Sequence, residues 1–231
     1  MKYLALAALV ACGSNHASTP PTDGSSPTID GTGAGSGISL DDYPAATAKA
    51  FCTAAIRCCG SAQTEAQCEA QYLMLEQAQF TSLNSSVASG KATYNEGPAT
   101  TCLNAFANLS CADFNSYLNS HIVPALAACN DEVTGNVASG GTCQSFWECG
   151  PNADCIVDPD GDDGDPMTCI PDSTVGDTCD GSCTNDLHCD DASNTCVARK
   201  PDGSACVEGA ECVGNACNAN VCGTNPTCNG S

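Results

Sequence analysis

Between Ile38 and Val133, apolar positions recur at helical spacing. Ala48, Cys52, Ala55 and Cys59 fall at i, i+4, i+7 and i+11, one face of a helix. Ser39 with Asp42 opens that helix in capping-box style, Pro44 is tolerated in its first turn, and Gly60 ends it. Thr64-Glu-Ala-Gln67 is a second capping box, opening a helix with Cys68, Tyr72 and Leu75 on one face. Pro98 begins a third, with Cys102, Phe106 and Leu109 in register, and Ser110 caps a fourth, carrying Cys111, Phe114 and Leu118. Pro124 to Cys129 adds a last turn. Each predicted helix is short, near the length that cannot stand alone in water. Every one carries cysteine on or beside its apolar stripe. The pattern predicts helical hairpins stapled by disulfides.

From Gly140 to Cys222 the helical period disappears and a ladder of cysteines replaces it. The first step is Gly140-Gly-Thr-Cys143, then Cys149, Cys155 and Cys169. The second is Gly176-Asp-Thr-Cys179, then Cys183, Cys189 and Cys196; the third is Gly203-Ser-Ala-Cys206, then Cys212, Cys217 and Cys222. Glu148 and Glu211 each precede a cysteine. Apart from Phe146 and Trp147 the steps have almost no large apolar side chains, so burial alone cannot offset their chain entropy. Disulfides must supply the difference, at roughly 3 kcal/mol for a closed loop of about 15 residues. No Cys-x2-Cys knuckle occurs and only three histidines are present, which disfavours zinc or an iron–sulfur cluster.

The Gly-x-x-Cys openings and Glu-Cys pairs resemble the Dickkopf N-terminal-type cysteine-rich repeats of bacterial surface lipoproteins, over about the last ninety residues. No receptor-binding motif accompanies the likeness.

Composition places the chain in an oxidising compartment: 21 cysteines in 231 residues. A net charge of −21, with only six Lys and Arg, excludes sequence-independent nucleic-acid binding and argues against lying on an anionic lipid surface. That charge keeps a disulfide-rich protein soluble. Met1-Lys2 and the apolar run Tyr3 to Val10 are too short to span a membrane as a helix. Leu9-Val-Ala-Cys12 looks like a bacterial lipobox, which implies removal of residues 1–11 as a signal peptide and lipidation of Cys12. Gly13, rather than Asp, follows that cysteine, so the resemblance implies the outer membrane. Residues 12–37 are a flexible Gly/Ser/Thr/Pro tether, not a phosphate loop: no strand precedes the alternating glycines and no Lys-Ser/Thr follows.

Other candidate chemistry is sparse. Cys58-Cys59 offers a strained vicinal disulfide or, because neighbouring helical side chains diverge by about 100°, two separate partners; the second is favoured. Asp158, Asp160, Asp162, Asp163 and Asp165 could hold a weak calcium ion, but Asp163 stands where an EF-hand loop needs glycine, and a solvated loop is favoured. His121 and His188 have no nucleophile or metalloprotease motif beside them.

The expected fold is small and disulfide-rich: a short disulfide-stapled α-helical N-terminal domain (residues 38–133), then cysteine-rich, loop-dominated repeats with little regular structure (140–228, three four-Cys units). The expected function is a non-catalytic, lipid-anchored envelope protein at the outer membrane or cell surface. Its ectodomain binds an unidentified protein or glycan, or has a structural role, with no cofactor required. The alternatives are a secreted inhibitor or toxin-like effector, and an enzyme. Counting adds a constraint. Removing Cys12 leaves twenty cysteines, seven in the helical segment (Cys52, Cys58, Cys59, Cys68, Cys102, Cys111, Cys129) and thirteen after it, including Cys228. Full intramolecular pairing then needs an odd number of bridges between the two segments. The simplest arrangement closes each step on itself and joins Cys228 to one helical cysteine.

Overall fold

The computed structural model describes residues 37–60, 63–120, 123–156, 166–179, 183–184 and 187–224. The predicted signal segment, Cys12, the tether up to residue 36, His121, Asp158 to Asp165 and Cys228 lie outside them. The fold is the expected one: a disulfide-stapled helical head followed by cysteine-rich steps.

Among the described residues the head holds four α-helices. α1 spans Tyr43–Cys59 and stops at Gly60, whose φ of 62° is the left-handed conformation that glycine adopts without a Cβ penalty. α2 spans Glu65–Ala88, and both halves of its predicted capping box form: Gln67 N–H donates to Thr64 Oγ1 and Thr64 N–H to Gln67 Oε1. At 24 residues it is far longer than expected. α3 spans Glu96–Ala107 and begins two residues before Pro98, which sits in its first turn, where a missing N–H costs nothing. α4, Cys111–Ser120, is capped by Ser110, whose Oγ accepts from Asp113 N–H at 3.1 Å. The predicted last turn is a 3-10 helix, Pro124–Asn130.

α1 lies at the centre, packed on α2, α3 and α4. Its buried face runs through Ala48, Phe51, Cys52, Ala55 and Cys58, leaving Cys59 at the rim. Phe51 meets Tyr72 from α2 and Phe114 from α4, with ring centroids 5.0 and 5.6 Å apart, and Phe106 meets Tyr117 edge-on at 4.7 Å. On α2 the buried stripe is Tyr72, Glu76, Phe80, Leu83 and Ser86, so Leu75, expected inside, is turned out and 53% exposed. Three disulfides staple these elements: Cys52–Cys68 joins α1 to α2, Cys58–Cys111 joins α1 to α4, and Cys102–Cys129 joins α3 to the 3-10 helix. The Arg57 guanidinium adds a polar clasp, donating to the carbonyls of Ala107 and Leu109 at the end of α3.

Two short strands, unforeseen in the sequence, link head to ladder. β1 (Ala92–Tyr94) pairs antiparallel with β2 (Val133–Gly135). At Gly135 a Cβ would run into the carbonyl of Cys149, so glycine is what lets the first step lie against this ribbon.

Each step is one hairpin: β3 (Ala153–Ile156) with β4 (Thr168–Pro171), β5 (Leu187–Asp190) with β6 (Thr195–Ala198), and β7 (Asn215–Asn218) with β8 (Val221–Thr224). Cys155 faces Cys169, Cys189 faces Cys196 and Cys217 faces Cys222 in register. None of these facing pairs is bonded. Each cysteine instead reaches back to the incoming loop, first to third and second to fourth: 143–155 and 149–169, 179–189 and 183–196, 206–217 and 212–222. The opening glycines Gly140, Gly176 and Gly203 all have positive φ and donate their N–H to the carbonyl of the fourth cysteine at 2.8–2.9 Å. A Gly-x-x-Cys opening is thus a left-handed turn that delivers the first cysteine onto its hairpin.

Candidate binding groove at the junction of head and ladder

The first step is docked on the head. Trp147, assigned by sequence to a ladder without a core, is 1% exposed and belongs to the main hydrophobic core of the head, with Phe146 packed on its edge. Next to it, Glu148 is turned into the same junction and is 3% exposed. Its Oε2 accepts from Lys91 Nζ at 3.0 Å and from Gln144 N–H at 2.9 Å; its Oε1 accepts from Ser86 Oγ at 3.3 Å. The Ser86 and Ser145 hydroxyls are 2.9 Å apart. A carboxylate so deep is tolerated because each oxygen has a partner.

Above this polar floor runs an open groove of about 650 Å³. One wall is the outward face of α2, with Met74, Leu75, Ala78 and Ser82; the other is Gln144 and Ser145 of the first step. On the far side of Met74 a shallower depression of about 410 Å³ continues over Leu73, Phe80 and Pro44. Met74 is 67% exposed, so it forms a flexible apolar ridge between the two hollows. The walls are mainly hydroxyl, amide and thioether groups, and the buried Glu148 is matched by Lys91. Such a surface fits a neutral ligand that hydrogen-bonds along its length and lays one apolar edge on Met74 and Leu75.

A second polar group lies inside the head. Glu132, between the 3-10 helix and β2, is 7% exposed. The Tyr43 hydroxyl hydrogen-bonds to it, while its Oε2 has no partner among the described residues. Burial pushes its carboxyl up to about 7, the Tyr43 hydrogen bond opposing the shift. A carboxylate oxygen of Glu132 and the sulfurs of Cys102 and Cys129 all lie within 4.8 Å of one another.

The other predicted site residues are spread out. Cys58 bonds Cys111 rather than Cys59, so no vicinal disulfide forms, and Cys59 is itself disulfide-bonded. Cysteine trios in every step are close enough for a metal, but all their sulfurs are already in disulfides. His188 is buried in β5, and its Nδ1 has no partner among the described residues. Sequence reasoning missed Lys91 and Glu132. A signal for Glu148 existed in the repeated Glu-Cys pair: Glu211, its counterpart in the third step, likewise accepts from the backbone N–H four residues earlier and pairs with a lysine, Lys200. Among the described residues no helix is long and apolar enough to cross a membrane. No family model, no curated protein and no solved structure matches the chain.

Proposed function

We propose that the chain is a non-catalytic, lipid-anchored cell-envelope protein that presents a disulfide-stapled ectodomain for binding at the outer membrane or cell surface. The groove between α2 and the first step carries the reading. Its walls are held by the Lys91–Glu148 pair, the buried Trp147 and the disulfides of both elements, so it is preorganised rather than formed on contact. Its neutral, hydrogen-bonding lining suits a glycan or an extended protein segment. The lipobox-like Leu9-Val-Ala-Cys12 supports the anchor, and residues 12–37 would serve as the tether, reaching roughly 25–30 Å on average as a flexible coil. The density of disulfides supports an oxidising location.

Growth with a fatty-acid analogue tests the anchor: the wild type is labelled and Cys12→Ser is neither labelled nor processed. In parallel, the purified ectodomain and its Leu75→Lys and Ser82→Arg variants are applied to intact cells. Retention of the wild type and its loss in both variants supports the groove. A wild-type protein without lipid by mass sinks the anchor, and equal retention of all three forms sinks the groove.

A further inference from the structure

Among the described residues, twelve cysteines pair within the ladder steps with no carboxyl group grouped with their sulfurs, and one head disulfide differs. Cys102–Cys129 has a buried carboxyl oxygen, that of Glu132, within 4.8 Å of both its sulfurs. The two sulfurs are also unequal: Cys102 is 4% exposed on the inner side of α3, whereas Cys129 is only partly buried on the 3-10 helix. An incoming thiolate therefore reaches Cys129, and the leaving sulfur is Cys102. A buried thiolate in apolar surroundings is a poor leaving group, because charge there costs desolvation. A proton supplied at that sulfur removes the difficulty.

We propose that Cys102–Cys129 is a thiol–disulfide exchange site in which Glu132 donates the proton to the departing sulfur of Cys102. The reductant is a dithiol. Its thiolate attacks Cys129 Sγ, forming a mixed disulfide. The Cys102–Cys129 bond breaks and its electron pair goes to Cys102 Sγ, which takes the proton of the Glu132 carboxyl. The resulting carboxylate keeps the hydrogen bond from the Tyr43 hydroxyl. The second thiol of the reagent then displaces Cys129, leaving two protein thiols and an oxidised reagent. The reverse sequence closes the staple.

The surroundings of Glu132 suit a proton held until it is needed. It is faced by Tyr43 from α1, Tyr72 from α2, Tyr94 from β1 and Tyr117 from α4, each held above the ordinary tyrosine value, chiefly by burial, with the Glu132 charge adding to it. These phenols stay neutral over the working range. Glu76, nearby on α2, is also shifted up by burial. No lysine or arginine of the described residues is among the groups acting on Glu132. Opening the bond frees the 3-10 helix from α3, while Asn95 still holds the following residues through its N–H to Glu132 O at 2.9 Å and its Nδ2 to Asp131 O at 2.8 Å. The device thus loosens one corner of the head without dismantling it.

The oxidised protein is exposed to limiting dithiothreitol between pH 5.5 and 8.5, quenched in acid, and each opened pair is read by differential alkylation and mass spectrometry. Rates are divided by the dithiothreitol thiolate concentration. Cys102–Cys129 is expected to open faster than Cys52–Cys68 and Cys58–Cys111, and its corrected rate to fall about tenfold or more above pH 7, as general-acid assistance is lost. The corrected rates of the two control staples stay flat. Glu132→Gln, which hydrogen-bonds but cannot give up a proton, removes the fall. A Cys102–Cys129 rate that is flat with pH in the wild type, or no faster than the two controls, overturns the proposal without recourse to any variant.

Discussion

Lys91 Nζ stands 3.0 Å from Glu148 Oε2, joining the turn after α2 to the first ladder step across 57 residues of chain. The carboxylate is almost fully buried and the lysine side chain is about one-third in solvent. The pair therefore acts less as a surface ion pair than as a plug in the junction between a core built by burial and a ladder built by cross-links.

Removing the lysine should show this. Lys91→Met leaves a buried carboxylate served only by hydroxyl and backbone donors, at a cost of about 1–3 kcal/mol, toward the lower end because solvent screens the lysine. In a domain of this size that lowers Tm by roughly 3–6 °C. The double variant with Glu148→Gln should recover part of the loss. Lys200→Met, at the more exposed Glu211 pair, should lose less. Equal losses at the two sites would mean that Glu148 does not gain from its burial.

The head should be more stable in mild acid. Glu132 has a folded value raised from 4.5 to about 7 by burial, so between those values the native state holds a proton that the unfolded state has given up. Stability contributed by this group is full below about pH 4.5 and is lost as pH rises toward 7, by up to about 3 kcal/mol. Asp177 and Asp190 act the other way. Their hydrogen bonds from Thr174 and Ser193 hold them below the ordinary carboxylate range, so their contribution is lost on acidification. Thermal melts of wild type and Glu132→Gln between pH 5 and 8 test the sign: the wild type should lose stability on going up, and the variant should be nearly level. An identical slope in both would assign it to other groups.

Disulfide mapping should find one bridge from head to tail. Every described cysteine except Cys59 bonds another described cysteine, Cys59 is disulfide-bonded too, and the cysteines outside the described residues are Cys12 and Cys228. Lipidation would consume the Cys12 thiol. Non-reducing digestion should therefore yield a Cys59–Cys228 peptide, and β7 of the third step already approaches α4 of the head. Recovery of a Cys12–Cys59 peptide would exclude both this bridge and the anchor.

Reduction should separate the ladder into unequal parts. Steps two and three keep little apolar area beyond their own cysteines, whereas the first step is held by Trp147 in the head core. Under strong reductant, amides of residues 176–224 should exchange freely while those around 146–149 keep some protection. Trp147→Ala should cost about 3–5 kcal/mol and remove that difference. Loss of protection at all three steps together would show that the docking depends on the disulfides alone.

Much of this architecture was legible in the chain. The capping box at Thr64, the stop at Gly60 and the cap at Ser110 are local signals, set by which backbone groups a nearby side chain can satisfy, and they hold wherever the segment sits. The Gly-x-x-Cys openings belong to the same class, since a left-handed turn and a short closed loop need no distant partner. What only the tertiary structure decided depends on what each face meets. Leu75 and Glu76 are adjacent on α2, and packing around α1 sent the glutamate inward and the leucine out, making one wall of the groove. Trp147 lies within the ladder by sequence yet finds apolar neighbours only in the head. Lys91 and Glu148, like Glu132 and Cys102, are far apart in sequence and come together through contacts between elements. Periodicity records the shape of each element; partnership across a core depends on which faces leave the least surface in water.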